Sequence, residues 1–339
     1  MLMMLSVLSS VVAAAETHTV LVEAESFAER GGWVLDTQFI DVMGSPYLLA
    51  HGLGKPVEDA TTQVHFPAPG AYRVWVRTYN WVAPWDAPGS PGRFELVVDG
   101  APLATEFGIQ GSRWQWQDGG TVAIAQENVT IALHDLTGFD GRCEAIVFSS
   151  DESFRPPNDP DALRKFRRKT LGLPQAPESA SDFDLVVIGG GLAGTCTAVS
   201  AARLGLQVAL VQNRPVLGGN NSSEVRVHIG GEIMIPPYPA LGQVVAELDS
   251  GMRGNARPAD HYGDQQKLDV VNAEENIALF LNTHAGQVEK DGERIAAVIA
   301  RDTRTGRELR FEAPLFADCT GDGTIGYLAG AAYRMGRES

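Results

Sequence analysis

The sequence predicts two domains of different class: an N-terminal antiparallel β-sandwich of the jelly-roll type and a C-terminal α/β domain of the Rossmann-like type. The 339 residues suit two domains of about 100–200 residues each. The first half is a series of short strand-like runs separated by turn residues, and all six tryptophans lie between residues 33 and 116. The second half opens with an apolar strand, a glycine-rich turn and a helix, which is the start of a βαβ unit.

Residues 1–15 form an apolar run that ends in three alanines and is followed at once by Glu16. This pattern is typical of a secretory signal peptide, although no Lys or Arg precedes Arg30. We therefore expect an exported protein, periplasmic or extracellular. The sequence has no further apolar run of membrane-spanning length, so we expect no integral membrane segment after signal removal.

The β-sandwich is predicted over residues 16–150. Alternating apolar and β-branched residues mark its strands, and Pro69-Gly70 and Asp99-Gly100 supply turns. The predicted strands cover residues 19–24, 62–66, 71–78, 93–98, 121–125, 129–134 and 143–148.

Residues 151–182 are predicted to be a proline-rich linker with a short helix, for which Asp159 is the candidate N-cap. The basic run at 164–169 suits either a patch for polyanions or a solvated helix face, and the second interpretation is favoured. The chain as a whole has 27 Lys and Arg against 42 Asp and Glu, a net charge of −15, which excludes nucleic acid as an expected partner.

The α/β domain is predicted over residues 183–339. After the strand at 184–188, Gly189, Gly191 and Gly194 form a G-x-G-x-x-G motif that opens a helix. In this context the first glycine permits a tight turn, the second lets the backbone approach a pyrophosphate, and the third lets the helix pack on the strand. The motif predicts a dinucleotide site.

The second strand of this unit, at residues 207–211, is followed by Gln212 where a carboxylate commonly binds a ribose. The amide oxygen of Gln212 is able to accept a neutral hydrogen bond there. An ordinary polar residue at the end of a strand is the alternative.

Three motifs in order resemble the FAD-dependent oxidoreductases of the glutathione-reductase-like superfamily: the opening glycines, Arg-x-x-x-Gly-Gly after the second strand, and a late strand that ends in Thr-Gly-Asp-Gly. This resemblance implies FAD as the cofactor. It also implies cofactor contacts by Arg214, Gly218, Gly219, Thr320, Gly321 and Asp322. Members of this superfamily continue well beyond the last motif, so we expect the α/β domain to be C-terminally incomplete.

The polar run after Gly219 is the candidate catalytic segment, since the resemblance places it near the flavin ring. Its candidates are Glu224, Arg226 and His228, of which the histidine is able to exchange protons. Val225, Val227 and Ile229 alternate with them, so the same residues also suit the solvent face of a strand. Both interpretations stay open.

The three cysteines, Cys143, Cys196 and Cys319, are too far apart to predict an iron–sulfur cluster or a zinc site. Packing positions are expected for all three, and a disulfide that includes Cys143 is the alternative.

The first domain resembles carbohydrate-binding β-sandwich modules in residues 22–27, 72–77 and 142–146. The resemblance implies a structural calcium held by Glu23, Glu25 and Glu144, although solvent-facing alternation explains the first two equally well. Four tryptophans are candidates for a sugar-binding platform, with packing over the core or against the flavin domain as the alternative: Trp81, Trp85, Trp114 and Trp116.

These observations together predict an exported FAD-dependent oxidoreductase with a sugar-binding-like module, acting on a small-molecule or carbohydrate substrate. The alternatives are a non-catalytic glycan-binding protein with an incomplete flavin domain, and an NAD-linked dehydrogenase. The pattern does not identify the substrate, the electron acceptor, the direction of reaction or the oligomeric state.

Overall fold

The computed structural model describes residues 16–336, so the predicted signal peptide lies outside the described residues. The chain divides into two compact units between Leu171 and Gly172. This division falls within the segment predicted to be the linker.

The first unit is built from short strands that pair antiparallel. Its strands are β1 (Thr19–Glu23), β2 (Val34–Asp36), β3 (Tyr47–His51), β4 (Ala60–His65), β5 (Gly70–Thr78), β6 (Phe94–Val98), β7 (Ala101–Phe107), β8 (Gln115–Ile124), β9 (Asn128–Asp135), β10 (Phe139–Cys143) and β11 (Ala145–Ser149). They form three sheets with the orders β1-β11-β5-β8, β10-β3-β2 and β4-β9-β6-β7. The strands predicted from alternation are confirmed to within two residues at each end, except that β8 begins six residues before its predicted start, and β2, β3, β7 and β10 were not predicted.

One apolar core is shared by all three sheets of this unit, and it includes Val22, Leu48, Val74 and Ile131. The side chains that alternate with Val22 and Val74 point to the opposite face, where Leu21 and Trp75 form a second, smaller cluster. The strands of the first sheet are therefore buried on both faces.

Helix α2 (Pro160–Thr170) covers part of that opposite face, whereas α1 (Ile40–Met43) is a single turn between β2 and β3. The side chain of Asp159 accepts a 3.0 Å hydrogen bond from the N–H of Ala162, which confirms the predicted N-cap. Phe166 packs against the cluster that contains Trp75. The helix predicted within the linker is thus part of the first unit.

The second unit contains eight strands and four α-helices among the described residues. The strands are β12 (Glu178–Ala180), β13 (Leu185–Ile188), β14 (Val208–Val211), β15 (Ile277–Phe280), β16 (Thr283–Asp291), β17 (Arg294–Asp302), β18 (Glu308–Glu312) and β19 (Leu315–Asp318). The helices are α3 (Leu192–Arg203), α4 (Gly242–Leu248), α5 (Asp264–Asn272) and α6 (Thr324–Leu328).

The central sheet of this unit is parallel, with the order β15-β14-β13-β19. Leu185 and Val187 of β13 face a core that includes residues of α3, whereas Val186 and Ile188 face a core shared with the second sheet, β12-β18-β17-β16. A parallel strand that is buried on both faces is expected to be a continuous apolar run, as β13 is. The mixed α/β class of the chain is thus established.

None of the described helices is long and apolar enough to cross a membrane.

Candidate functional site

The carboxyl ends of three neighbouring parallel strands bring the predicted cofactor residues together. Ile188 of β13 lies in register with Val211 of β14 and with Asp318 of β19. The glycine-rich turn and Gln212 follow β13 and β14 directly, and Thr320 follows β19 after one residue, so all three lie at one edge of the sheet. This edge is the usual ligand-binding side of an open parallel sheet.

The turn after β13 requires glycine at its first position. Gly189 has a φ of +101°, a left-handed conformation that residues with a side chain rarely adopt. A Cβ on Gly189 would overlap the carbonyl oxygen of Cys319, and one on Gly194 would overlap the carbonyl oxygen of Gly189. Gly189 and Gly194 therefore allow the chain to turn and α3 to pack closely on the turn, as their spacing predicts.

Gly191 differs from the other two glycines because it faces open space. The nearest atom to a Cβ placed there is the Cα of Gly219, at 4.0 Å. Gly191 is also the N-cap residue of α3, with no side chain to cap the helix. Free N–H groups at a helix N-terminus favour the binding of an anion. The N-terminus of α3 faces a space between Gly191 and Gly219 that contains no side chain. The arrangement fits a pyrophosphate.

The Gly218–Gly219 turn forms the opposite side of this space. The N–H of Gly218 donates a 2.8 Å hydrogen bond to the carbonyl of Gly190, which joins the two glycine segments directly. The hydroxyl of Ser222 donates to the carbonyl of Gly219 at 2.6 Å and fixes the turn from its other end. Sequence reasoning expected Gly218 and Gly219 to line the cofactor, and their position beside Gly191 is consistent with that role.

Gln212 has a different role from the expected one. It is buried, its Oε1 accepts a 2.8 Å hydrogen bond from the N–H of Gly190, and its Nε2 donates at 2.9 Å to the carbonyl of Val216. Both ends of the amide are therefore bonded to the backbone on either side of the cofactor space. The structure corrects the ribose prediction: Gln212 links the glycine-rich turn to the Arg-x-x-x-Gly-Gly segment.

Arg214 and Glu224, predicted for different roles, form an ion pair with 3.0 Å between Nη1 and Oε2. About half of the Arg214 side chain and a third of the Glu224 side chain are exposed to solvent. The pair lies on the surface of the second unit and connects β14 to the segment after Gly219.

The segment after Gly219 is a turn followed by irregular chain, so the alternative of a strand is wrong. Arg226 has a φ of +60°, and its N–H donates to the carbonyl of Ser222 at 2.8 Å. Val225 and Val227 are both exposed, at 41% and 37%, which an alternating half-buried strand would not produce. The guanidinium of Arg226 is directed to the surface.

His228 is held by a single amide oxygen. Oδ1 of Asn255 accepts both the backbone N–H of His228, at 3.1 Å, and its Nδ1, at 2.8 Å. An acceptor at Nδ1 places the ring proton on that nitrogen and leaves Nε2 as the basic one. This hydrogen bond fixes the orientation of the His228 ring.

The Thr-Gly-Asp-Gly motif lies between β19 and α6. Asp318 accepts hydrogen bonds from the hydroxyl of Thr320 at 2.7 Å and from the N–H of Gly326 at 2.8 Å. Thr320 in turn accepts from the N–H of Thr324 at 2.9 Å. Thr320 thus shapes the loop, and Asp322 is left exposed at its tip with Gly321 beside it.

A cleft of about 210 Å³ opens beside the Arg-x-x-x-Gly-Gly segment. Its lining residues are 215–217, Asp264, Gln265, Leu268 and Leu281. The cleft borders α5, whose buried Lys267 was not singled out by sequence reasoning because lysine is usually exposed.

The three carboxylates predicted to hold calcium are buried, and two of them, Glu23 and Glu144, lie in an ionic cluster of the first unit. Arg167 of α2 donates through Nε to Glu23 Oε1 at 2.7 Å and also contacts Glu144 through Nη2. Arg77 Nη1 lies 3.1 Å from Glu144 Oε2, and the hydroxyl of Ser45 donates to Oε1 of the same residue at 2.6 Å.

Arginine therefore supplies the positive charge that calcium was predicted to supply. Among residues 16–336, no group of three or more His, Cys, Asp or Glu side chains has the geometry of a metal site. The calcium prediction for Glu23, Glu25 and Glu144 does not fit this structure. The favoured solvated-face interpretation of the basic run is also wrong for Arg167, which is buried.

The four predicted platform tryptophans are separated. Trp81 and Trp85 meet edge to face, with ring centroids 6.2 Å apart, and Trp85 is 70% exposed. Trp114 instead packs on Tyr47 and Tyr79, and Trp116 donates from Nε1 to the carbonyl of Pro157 at 3.0 Å. The structure thus retains one pair of the predicted platform, in which Trp85 is exposed and Trp81 is half-buried.

The cysteines are free thiols, and Cys143 is buried in the core of the first unit. Burial raises the pKa of the Cys143 thiol, as do the nearby charges of Glu25 and Glu23. The disulfide alternative is therefore wrong.

Comparison with known proteins places the second unit in a family. The model of the FAD-dependent oxidoreductase family matches residues 184–339. A curated urocanate reductase from Eggerthella lenta is 26% identical over 110 residues, which are 32% of this chain and 17% of that protein. The chain thus spans about a sixth of the length of this relative.

Two solved structures are each similar to part of the chain. A myxobacterial chondrochloren halogenase, described as a variant of the FAD-dependent halogenases, is 21% identical, with 42% of this chain and 38% of that chain covered and a TM-score of 0.29. A family 35 carbohydrate-binding module from Clostridium thermocellum is 19% identical, with 39% of this chain and 97% of that chain covered and a TM-score of 0.32. Likenesses at these TM-scores assign no function.

The match to the family model covers the segment that carries the three motifs and the glycine-lined space. Residues 184–339 of this chain, a little under half of its length, therefore match the FAD-dependent oxidoreductase family, whose cofactor is FAD.

Proposed function

We propose that the second unit binds FAD in the space between Gly191 and Gly219, and that the protein is an FAD-dependent oxidoreductase. The observation that carries this proposal is the open, side-chain-free surface at the uncapped N-terminus of α3. Its N–H groups suit a pyrophosphate, and the absence of a Cβ on Gly191 lets the phosphates approach the backbone. Bound FAD supplies the centre that accepts or donates a hydride or electrons.

The residues of this chain have three tasks in the proposal. Gln212 keeps the two glycine segments at a fixed separation through its bonds to Gly190 and Val216. Asp322, exposed at the tip of its loop, is available to accept hydrogen bonds from cofactor hydroxyls. His228 holds its proton on Nδ1 against Asn255 and has Nε2 available to take a proton from a substrate.

Titration of the purified full chain with FAD tests this proposal directly. We expect stoichiometric binding, seen as quenching of flavin fluorescence and as the visible absorption bands of oxidised flavin on the protein after gel filtration. NAD, whose titration is followed by calorimetry because it carries no flavin signal, should not bind. A colourless protein that leaves FAD fluorescence unchanged would overturn the proposal, and binding of NAD in place of FAD would favour a nicotinamide-linked dehydrogenase.

A second function, glycan binding by the first unit, is favoured by the exposed ring of Trp85. We propose that this unit is a jelly-roll-like β-sandwich that presents Trp85 and Trp81 to a sugar. The guanidinium of Arg142 lies over the Trp81 ring at 5.2 Å, and Trp81 Nε1 donates to the carbonyl of Phe139 at 2.9 Å, so the Trp81 ring is fixed beneath Trp85. An exposed aromatic ring stacks on the apolar face of a sugar.

Affinity electrophoresis through gels that contain soluble glycans tests the second function. Trp85→Ala should abolish retardation of the chain. Tyr238, which is also 70% exposed but belongs to the second unit, provides the matched control, and Tyr238→Ala should be retarded as the wild type is. Equal migration of wild type and Trp85→Ala on every glycan would remove this function.

Export is also part of the proposed function and rests on residues 1–15 alone. When the gene is expressed in a bacterium that secretes proteins, we expect a mature chain whose N-terminal residue is Glu16. Recovery of the whole chain in the cytoplasm with Met1 retained would contradict export.

A further inference from the structure

A buried lysine lies beneath the glycine segments of the proposed cofactor site. Lys267, on the first turn of α5, has no exposed surface. Its Nζ donates a short hydrogen bond to the carbonyl of Tyr262 and a 3.4 Å bond to the carbonyl of Gly263. Lysine is almost never fully buried without a charged partner, so this arrangement requires an explanation.

The carboxylates near Lys267 are bonded to other groups. Asp264 accepts the N–H of Ser223 at 3.0 Å, and Asp249 pairs with Arg253 at 3.1 Å. Among the described residues, no carboxylate oxygen lies within ion-pairing distance of the Lys267 nitrogen. Burial lowers the pKa of Lys267, and the charges of Asp264 and Asp249 oppose this shift. The ammonium is therefore incompletely compensated.

The stem of Lys267 touches the cofactor site itself. A Cβ on Gly218 would lie 2.8 Å from Cε and 2.9 Å from Cδ of Lys267, so the lysine packs directly against the Gly218 backbone. The N–H of Gly218 is bonded to the carbonyl of Gly190 in the glycine-rich turn. Lys267 thus supports the junction of the two glycine segments from the protein side.

Tyr262 extends this support to the candidate catalytic segment. The Tyr262 side chain is fully buried, and its hydroxyl donates to the carbonyl of Arg226 at 2.8 Å. The same hydroxyl accepts the N–H of Arg257 at 3.1 Å. Lys267 and Tyr262 therefore connect Gly218 with the segment of Arg226 through one continuous set of buried contacts.

We propose that Lys267 is a positioning residue of the cofactor site: its stem holds the Gly218–Gly219 turn, and its ammonium provides a positive charge that favours the pyrophosphate of a dinucleotide. This inference rests on the proposed FAD function and extends it to a residue outside the motifs. A purely apolar side chain would fill the same volume without the cost of burying a charge. The charge is therefore explained by an anionic ligand above the turn.

The test compares ADP with adenosine, because only ADP carries the pyrophosphate. Isothermal titration of the full chain gives the ratio of the two affinities, together with the affinity for FAD. In Lys267→Met we expect binding of ADP and FAD to weaken about tenfold, which is ~1.4 kcal/mol, with adenosine affinity unchanged. A merely structural role would weaken ADP and adenosine equally, and that result would overturn the proposal.

Two further variants complete the experiment. Lys290 is an exposed lysine whose Nζ also donates to a backbone carbonyl, that of Ala329 at 2.7 Å, so Lys290→Met is the matched control and should bind as wild type does. Lys267→Arg keeps the charge and should recover most of the lost ADP affinity. If Lys267→Met does not fold, Lys267→Gln replaces it, and an unchanged ratio of ADP to adenosine affinity in that variant would overturn the proposal.

The outcomes separate this inference from the proposed function. Wild-type chain that binds ADP but not FAD, with the ratio lowered in Lys267→Met, overturns the FAD function and supports the role of Lys267. Wild-type chain that binds neither nucleotide overturns both. If the wild type and Lys267→Met bind FAD with equal affinity, the role of Lys267 is overturned and the FAD function stands.

Discussion

The Nε of Arg167 donates a 2.7 Å hydrogen bond to Oε1 of Glu23, and the two residues are separated by 144 positions in the sequence. Both side chains are less than 10% exposed. The alternation of β1 places Glu23 on the same face as Leu21, towards α2. One ion pair thus connects the first strand of the first unit to the helix that follows its last strand.

Removal of this arginine should destabilise the first unit strongly. Arg167→Met leaves Glu23 and Glu144 as buried carboxylates with less compensation, which is expected to cost about 3–5 kcal/mol of unfolding free energy. All six tryptophans lie in the first unit, so the fluorescence change during urea unfolding reports on that unit. Arg164→Met, on the exposed side of the same helix, should cost less than about 0.5 kcal/mol. Equal midpoints for the two variants would show that the buried pair contributes no stability.

Calcium should not stabilise the wild-type chain. Because Arg167 already contacts Glu23 and Glu144, a cation would have to displace a buried guanidinium. We expect thermal unfolding midpoints followed by tryptophan fluorescence to agree within error in calcium, magnesium and EDTA. A midpoint that rises in calcium alone would show that the carboxylates bind the ion despite the arginines.

Gly191→Val should separate folding from cofactor binding. Gly191 has an ordinary φ of −65°, and only the Cα of Gly219, at 4.0 Å, lies near the position of a new Cβ, so the variant should fold with wild-type stability. Its side chain would occupy the space assigned to the pyrophosphate, and FAD affinity should fall by about a hundredfold or more.

Two other substitutions serve as controls for Gly191→Val. Ser200→Val, on the exposed side of α3, should bind FAD normally. Gly189→Val should instead unfold the unit, because the side chain would overlap Cys319 at a φ of +101°. Wild-type FAD affinity in Gly191→Val would place the cofactor elsewhere.

Gln212→Leu should loosen the glycine-rich turn. The substitution keeps the volume but removes the bonds to Gly190 N–H and Val216 carbonyl, each left unsatisfied in a buried position, at a cost of about 1–3 kcal/mol per group. Hydrogen exchange at Gly190 followed by mass spectrometry should accelerate. Gln207→Leu, at the exposed amino end of β14, should leave that exchange unchanged. If Gly190 exchanges equally slowly in both variants, Gln212 does not hold the turn.

The pKa of Lys267 predicts a pH dependence of stability. Burial lowers this pKa in the folded chain below the ordinary value of 10.5. At a pH between the lowered pKa of the folded chain and the ordinary pKa of 10.5 in the unfolded chain, the unfolded chain binds more protons. The free energy of unfolding should therefore rise as the pH increases towards 10.5. Lys267→Met has no ammonium at this position, so it lacks this contribution and the opposing effects of Asp249 and Asp264. Unfolding followed by far-UV circular dichroism between pH 7 and 10 should show wild type gaining stability relative to the variant, and parallel curves would contradict it.

Residues close together in the sequence were sufficient to predict the opening strand, helix and second strand of the second unit. The apolar run of β13, the glycines after it and the alanine-rich α3 specify one another through backbone sterics and burial, which are local effects. The strands β2 and β10 escaped prediction because β2 has three residues and β10 contains Asp and Gly, so pairing with β3 stabilises them rather than their own pattern.

The partners of individual polar side chains depend on residues far apart in the sequence. The sequence around Glu23 does not predict its contact with Arg167, and the sequence around Lys267 does not predict its contact with Gly218. Folding alone brings these residues together. For the same reason a glutamine expected to bind ribose holds the backbone instead. The sequence motifs alone thus determine the family and the cofactor, since these depend on backbone shape. The compensation of buried charge is decided by tertiary packing, because it depends on which groups share a volume from which water is excluded.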